Sequence, residues 1–347
     1  MALAHVYAII PTGEPVRFEA DGVDRAPVRT VAWSDHAVVL GGAPLADYRG
    51  LDRHQALQYL LAHQRVVETV MRGHPVLPAK FGTLLPSEDR ARDLIAQGEP
   101  LFRKALSGLE GRTQMEVVVL WNTSDVIREA AGDERVQDLK AHLESVPADD
   151  TTEGRVALGR LVYELMDQRR SALRESLVPE LSAGAADAIV HTCLDDGMVL
   201  NLALLVDREA RDSLNRLLDD LDRRFEGRLD FRCIGPLPPY SFASVEVKVP
   251  TFDEVDAARR LLGLTESAAR DQIKQAYHRL AARAHPDLDP SNPEAESRMS
   301  ELTDACAFLT EYAESATSGS EGSIARFDRN TVEQTLMITI RRQESAG

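Results

Sequence analysis

His285, Pro286 and Asp287 set an imidazole and a carboxylate on either side of a residue that cannot sit in a helix interior. Any helix arriving at Pro286 must end there, and residues 287–293 continue as a polar loop. Both flanks read as helices. Ile273, Ala276, Tyr277, Leu280 and Ala284 form one apolar stripe at helical spacing, and Leu302, Ala305, Cys306 and Leu309 form another. An antiparallel helical hairpin with facing stripes is expected. Lys274, His278, Arg279 and Arg283 fall on the exposed face of its first helix, a basic strip in an acidic chain. Taken alone, such a face is ordinarily just solvated.

Elsewhere the residues capable of covalent chemistry are scattered. His36, His54, His63, His74, His142 and His191 lie singly, and none is read as a ligand. Asp149-Asp150 and Asp195-Asp196 pair carboxylates, but in turn contexts where aspartate is ordinarily solvated. There is no Gly-rich phosphate loop, no His-x-x-x-His pair with a carboxylate and no Gly-x-Ser-x-Gly. Cys193, Cys233 and Cys306 lack any Cys-x-x-Cys spacing, so each is expected to fill apolar space as a reduced side chain. The expectation is a protein that is not an enzyme and uses neither metal nor cofactor.

A formal net charge of −16 over 347 residues argues against nucleic acid or an anionic membrane as partner. Hydrophobic residues make up 44%, enough to give each of two or three domains a core. The opening MALAHVYAIIPTGEP lacks the basic start and cleavage site of a signal peptide, and no apolar run is long enough to span a bilayer. A cytoplasmic location is expected.

Short strands are predicted at 3–10, 28–33 and 37–40, then a helix from Asp52 to about residue 71 with Ala56, Leu57, Leu60, Leu61 and Val67 at apolar spacing. An extended segment at 75–85 precedes a helix from Ser87 to about 109, interrupted near Gly98-Glu99-Pro100. A strand at 115–121 and a helix from Thr123 to about 145 close an N-terminal α+β domain over 1–146. Trp33 and Trp121, at strand ends, are expected in the core. After a polar linker, a long helix at 153–181 leads strands at 188–194, 199–206, 229–234 and 243–249, with a helix at 208–225. This order suggests a ferredoxin-like sandwich over 153–250. The helical unit spans 251–314, a linker 315–330 and a terminal strand 331–342. The fold class is thus α+β: two small α/β-sandwich domains, the second ferredoxin-like, plus the hairpin and a terminal strand inserted in or returning to the body.

Two proline-rich segments remain: Val76-Leu77-Pro78-Ala79-Lys80-Phe81-Gly82-Thr83, and Gly235-Pro236-Leu237-Pro238-Pro239-Tyr240-Ser241-Phe242. Proline presets φ and removes donors, so both read as rigid connectors, with Phe81, Tyr240 and Phe242 able to pack on neighbours or meet a partner. They resemble the signatures of the gas vesicle protein F/L family (GvpF/GvpL), as does the opening strand with Val6-Tyr7-Ala8. The resemblance covers about 1–249. Separately, Leu262-Gly263-Leu264, Ile273-Lys274-Gln275-Ala276-Tyr277 and His285-Pro286-Asp287 resemble a J domain. The first resemblance implies an accessory protein of gas vesicle assembly, associated with vesicles, that binds the hydrophobic shell subunit and other vesicle proteins. Pro78, Phe81, Gly82, Gly235, Pro236, Pro238, Pro239, Tyr240 and Phe242 would be its structural or partner-binding residues. The second implies recruitment of a DnaK-type chaperone through His285, Pro286 and Asp287, with Lys274, Arg279 and Arg283 as electrostatic contacts. Two alternatives are a general J-domain co-chaperone with its own client-binding body and a purely structural minor vesicle component.

Overall fold

The run Ala4–Ile10 forms strand β1 and is buried at every position, so it must lie inside a sheet with both faces covered. The computed structural model describes residues 3–44, 48, 50–145, 152–284, 295–317 and 323–346. Two compact units emerge: Met1–Gly108 with Ser244–Arg341, and Leu109–Ala243 with Arg342–Gly347.

In the first unit β2 (Arg29–Trp33) and β3 (His36–Gly42) form a hairpin, and β3 pairs antiparallel with β1. Helix α1 (Arg53–Met71) starts where Asp52 accepts from the backbone N–H groups of His54 and Gln55. It buries Ala62, Val66, Val67, Val70 and Met71 against Tyr7, Ile10, Val28 and Val39. Here the expected stripe is corrected: Leu57, Leu60 and Leu61 are exposed, because burial along α1 begins only near its third turn. Trp33 is likewise half-exposed at the hairpin tip, not core. The short strands β4 (Leu77–Pro78) and β5 (Leu84–Leu85) both pair with the free edge of β1. Helix α2 (Arg90–Leu109) runs unbroken through Pro100. Fully buried Phe102 folds back over Gly98, whose missing Cβ would lie 2.4 Å from its ring, and buried Leu94, Ile95 and Leu106 anchor the helix on both sides. Packing overrides the local break.

The second unit begins with β6 (Arg112–Trp121), α3 (Thr123–Ala130), α4 (Glu134–Glu144) and the long α5 (Thr152–Ser182). Strands β7 (Asp187–His191) and β8 (Met198–Asp207), helix α6 (Arg211–Phe225) and β9 (Leu229–Leu237) follow. The antiparallel sheet has the order β7-β8-β6-β9, a βαββαβ arrangement of ferredoxin type. Its first strand is β6, which the sequence reading placed in the N-terminal domain. Central β6 needs β8 and β9 as partners, so residues 109–145 sit with the second unit. Strand β9 also extends beyond 234 through Gly235-Pro236, by a bulge in which Gln114 faces Leu237 and Glu116 faces Ile234. Proline is tolerated there because β9 is an edge strand.

The chain then returns to the first unit. β10 (Ser244–Lys248) leads to α7 (Phe252–Leu261), opened by a reciprocal capping box between Thr251 and Glu254. After β11 (Ser267–Ala269), α8 (Arg270–Ala284) and α9 (Ala295–Ala316) form the expected antiparallel hairpin, with Arg270 bonded to Glu314 and Tyr277 to Thr303. Ile273, Ala276, Leu302, Ala305 and Leu309 are buried between them. The expected linker is corrected in part: residues 323–330 hold β12 (Ile324–Arg326), paired with β11, and the start of α10 (Arg329–Gln334), while 318–322 lie outside the described residues. The terminal strand, β13 (Met337–Arg341), starts six residues later than read from the sequence and pairs with β10. The architecture is α+β with antiparallel sheets, as expected.

Two glycines test this packing. Gly159, in the interior of α5, has no heavy atom within 4 Å of where a Cβ would stand. Gly159→Ala should raise stability by about 0.5–1 kcal/mol, measured by denaturant unfolding. Gly235 has φ +149, and its Cβ would meet Met115 Sδ at 2.6 Å and the Gln114 carbonyl oxygen at 3.0 Å. Gly235→Ala should destabilise by about 2 kcal/mol or more in the same assay.

Candidate functional site

Helix α8 presents its cations outward. Lys274, His278, Arg279 and Arg283 are exposed, while Ile273, Ala276 and Ala281 fill the core behind them. Arg270 is drawn off by Glu314 at 2.6 Å, but Lys274, Arg279 and Arg283 form no ion pair among the described residues. Arg279 and Arg283 are one helical turn apart, a like-charge spacing that costs a few tenths of a kcal/mol. The helix ends at Ala284; His285, Pro286 and Asp287 lie outside the described residues.

The first signature is built into the sheet. Pro78 ends β4, and Ala79 N–H donates to the Tyr7 carbonyl at 2.8 Å. Residues Lys80 to Thr83 then bulge outward: Gly82 takes φ +87, and Thr83 N–H and Oγ1–H both donate to the Lys80 carbonyl. Thr83 returns to β1 by accepting from Val6 N–H at 3.0 Å. Half-buried Phe81 stacks on Tyr48 with centroids 5.4 Å apart and turns its ring against His5 and His63.

These two histidines are the residues the sequence reading missed as a pair. Both are buried. His63 Nε2 lies 3.0 Å from the Ala79 carbonyl oxygen, which can only accept, so that nitrogen carries the proton and Nδ1 is bare. His5 Nε2, 2.8 Å from His63 Nδ1, must therefore donate, leaving His5 Nδ1 to accept from the Tyr48 hydroxyl at 3.2 Å. In this relay from Tyr48 through His5 and His63 to Ala79, the bond between the rings requires His63 to be neutral, since its Nδ1 must accept. Burial, then the neighbouring His63, lowers His5 to about 3; burial, partly offset by the bond to Ala79, lowers His63 to about 4. The available signal was His5 inside the otherwise apolar run AHVYAII.

The second signature lies in the second unit. Pro238, Pro239 and Phe242 are buried, whereas Gly235 and Pro236 are exposed. The Pro239 carbonyl accepts from the N–H groups of Phe242 and Ala243, closing a tight turn around half-buried Tyr240. Ser241 is held by buried Gln114: its N–H donates to Gln114 Oε1 at 3.0 Å, and its Oγ accepts from Gln114 Nε2 at 3.1 Å. Pro78, Pro238, Pro239 and Phe242 thus pack as connectors, and Lys80–Gly82 and Gly235–Pro236 are the parts that face solvent. Among the described residues, no group of three His, Cys, Asp or Glu side chains could hold a metal, and no helix is long and apolar enough to cross a membrane.

The fold and signatures define a two-unit α+β protein with a J-type helical hairpin. The model for gas vesicle synthesis protein GvpL/GvpF matches residues 3–244, and the DnaJ domain model matches 260–316. This chain belongs to the GvpL/GvpF family and carries a DnaJ domain. It is 23% identical over 246 residues to gas vesicle protein F of Dolichospermum flosaquae, covering 70% of this chain and 98% of that one. The crystal structure of GvpF from Microcystis aeruginosa superposes with a TM-score of 0.55 at 20% identity, covering 70% of this chain and 98% of that one. The helical unit is 40% identical over 72 residues to chaperone protein DnaJ of a Wolbachia, which is 20% of this chain and 19% of that protein.

The relay gives a pH dependence of known sign. Unfolded histidine titrates near 6.5, while the folded rings stay neutral until about pH 4 and 3. The unfolded state binds more protons in between, so this stabilisation is complete above 6.5 and falls with pH toward 4. The slope reaches about 1.4 kcal/mol per pH unit for each ring. In His5→Gln/His63→Gln, unfolding free energy between pH 4 and 6.5 should be flatter than in the parent by that amount.

Proposed function

We propose that this chain is an accessory protein of gas vesicle assembly that holds the apolar shell subunit and brings a DnaK-type chaperone to it. It acts by binding, not by catalysis, in the cytoplasm where vesicles form. The observation that carries this reading is the placement of the J-type hairpin. It lies within the same compact unit as the first family signature: β10 pairs with β13 and bridges the signature at Ala79 and Val245. A subunit destined for a β-rich wall exposes apolar surface and strand edges before assembly, which is an aggregation hazard. A chaperone recruited to the same unit acts on that subunit at high effective concentration. The α8 cations, which form no ion pair among the described residues, are the electrostatic half of the recruiting surface.

Two measurements test this. A DnaK-type chaperone should hydrolyse ATP faster with the full chain, and His285→Gln or Lys274→Glu/Arg279→Glu should remove at least nine-tenths of that stimulation. Unstimulated rates with the parent chain would overturn chaperone recruitment. In pull-downs the full chain should capture the shell subunit in preference to unrelated unfolded proteins, and equal capture of all would overturn the vesicle role.

A further inference from the structure

The bulge that displays the first signature also opens a gap in the sheet. β4 and β5 lie in sequence along the same edge of β1. β10 meets that line at one point, the parallel bridge of Ala79 with Val245, where Lys80 N–H donates to the Val245 carbonyl at 2.9 Å. Beyond the bridge the strands part, because Lys80, Phe81 and Gly82 swing outward before the chain returns as β5. Residues 80–86 and 246–250 then line a groove of about 700 Å³. Phe81, Leu84, Pro86, Phe308 and Met337 give it apolar walls.

One side of this groove is an unpaired strand edge. Successive residues of a strand turn their N–H and C=O groups to opposite sides. Val245 faces the bridge, so Val247 faces the groove, and no bond joins Val247 backbone groups to a partner on that side among the described residues. Four charged residues line the groove: Lys80, Lys248, Glu246 and Glu254. Glu246 is shared by Lys80 and by Arg341, and Lys248 pairs with Glu311; Arg341 and Glu311 lie outside the lining. Lys80 and Lys248 are 61% and 48% exposed and Glu246 16%, so the lysines reach further into solvent than the carboxylate between them. Glu254 also lines the groove, but its carboxylate is held by Thr251 through N–H and Oγ1.

We propose that this groove takes an extended strand of another protein, apolar at alternate positions and acidic at its end, which completes the sheet beside β10. Backbone pairing supplies the grip, the apolar walls take every second side chain, and Lys80 and Lys248 take the acid. The inference deepens the reading above: the unassembled shell subunit is the partner it commits to. Phe308 belongs to α9 of the DnaJ domain, so the strand would touch that domain directly.

The test titrates the full chain into a fluorescein-labelled peptide of alternating valine and threonine ending in two glutamates, read by anisotropy. Saturable binding is expected, weakened at least tenfold when alternate peptide amides are N-methylated, which leaves side chains and charge intact. Lys80→Glu/Lys248→Glu, checked for folding by circular dichroism, should weaken it similarly. No binding, or equal binding of methylated and plain peptide, would overturn the inference. A dimer of this chain that the same charge reversal dissolves would also overturn it, since a second copy would then fill the groove. Shell subunit captured by the full chain but not displaced by the unlabelled peptide would overturn the groove while leaving the proposed function standing. Peptide binding without shell-subunit capture would overturn the function instead.

Discussion

Five consecutive backbone pairs, from Ser244 with Arg341 to Lys248 with Met337, hold the first unit together. They join the strand that precedes the DnaJ domain to the strand that follows it. Without them the domain would hang from the chain at Val249-Pro250. With them it is fastened at both ends, and its core runs on from α7, α8 and α9 into Phe327, Val332 and Met337. Tyr312 shows how the join is made: its ring packs against Phe327, and its hydroxyl donates to the Arg326 carbonyl at 2.6 Å. Further anchoring comes from α2, where Gln97 accepts from Leu336 N–H and Arg90 donates to the Gln334 carbonyl. The ladder is reinforced by charge. Burial would push Glu246 up, but Lys80, Lys248 and Arg341 outweigh it and hold the carboxylate below its usual range.

The histidine relay is the second constraint, and it explains why the first signature is rigid where it might have been a loop. Ala79 is bonded at its N–H by Tyr7 and at its carbonyl by His63, so one residue ties β1, α1 and the bulge. Phe81 closes the cluster from outside by stacking on Tyr48. A buried polar network of this kind stabilises only when every member is satisfied. Here each ring nitrogen has a partner, and the Ala79 carbonyl sets the direction of the bond between the two rings.

Much of this was legible in the sequence where a local pattern coincided with burial. The hairpin of α8 and α9 followed from two apolar stripes around a proline, and the capped start of α1 from Asp52. The failures share one cause: sequence shows apolarity, not which neighbour covers it. Leu57, Leu60 and Leu61 match a helical stripe as well as Val66, Val67 and Val70, yet only the second set meets the sheet. Pro100 and Gly235-Pro236 read as breaks, but Phe102 and an edge-strand bulge absorb them. β6 was recognised as a strand and assigned to the wrong neighbours, because pairing in a βαββαβ unit spans over a hundred residues. His5 and His63 looked like isolated histidines for the same reason.

The join between β10 and β13 also bears on how a J-type unit would work in this setting. A domain on a flexible linker samples many positions, and its effective concentration near a bound client falls as the linker lengthens. Here the outward face of α8 and the strand edge at Val247 belong to one compact unit, so their separation is set by packed secondary structure. Folding has already met the entropic cost of bringing them near each other. The cost is adaptability, since a fixed arrangement serves clients of one shape.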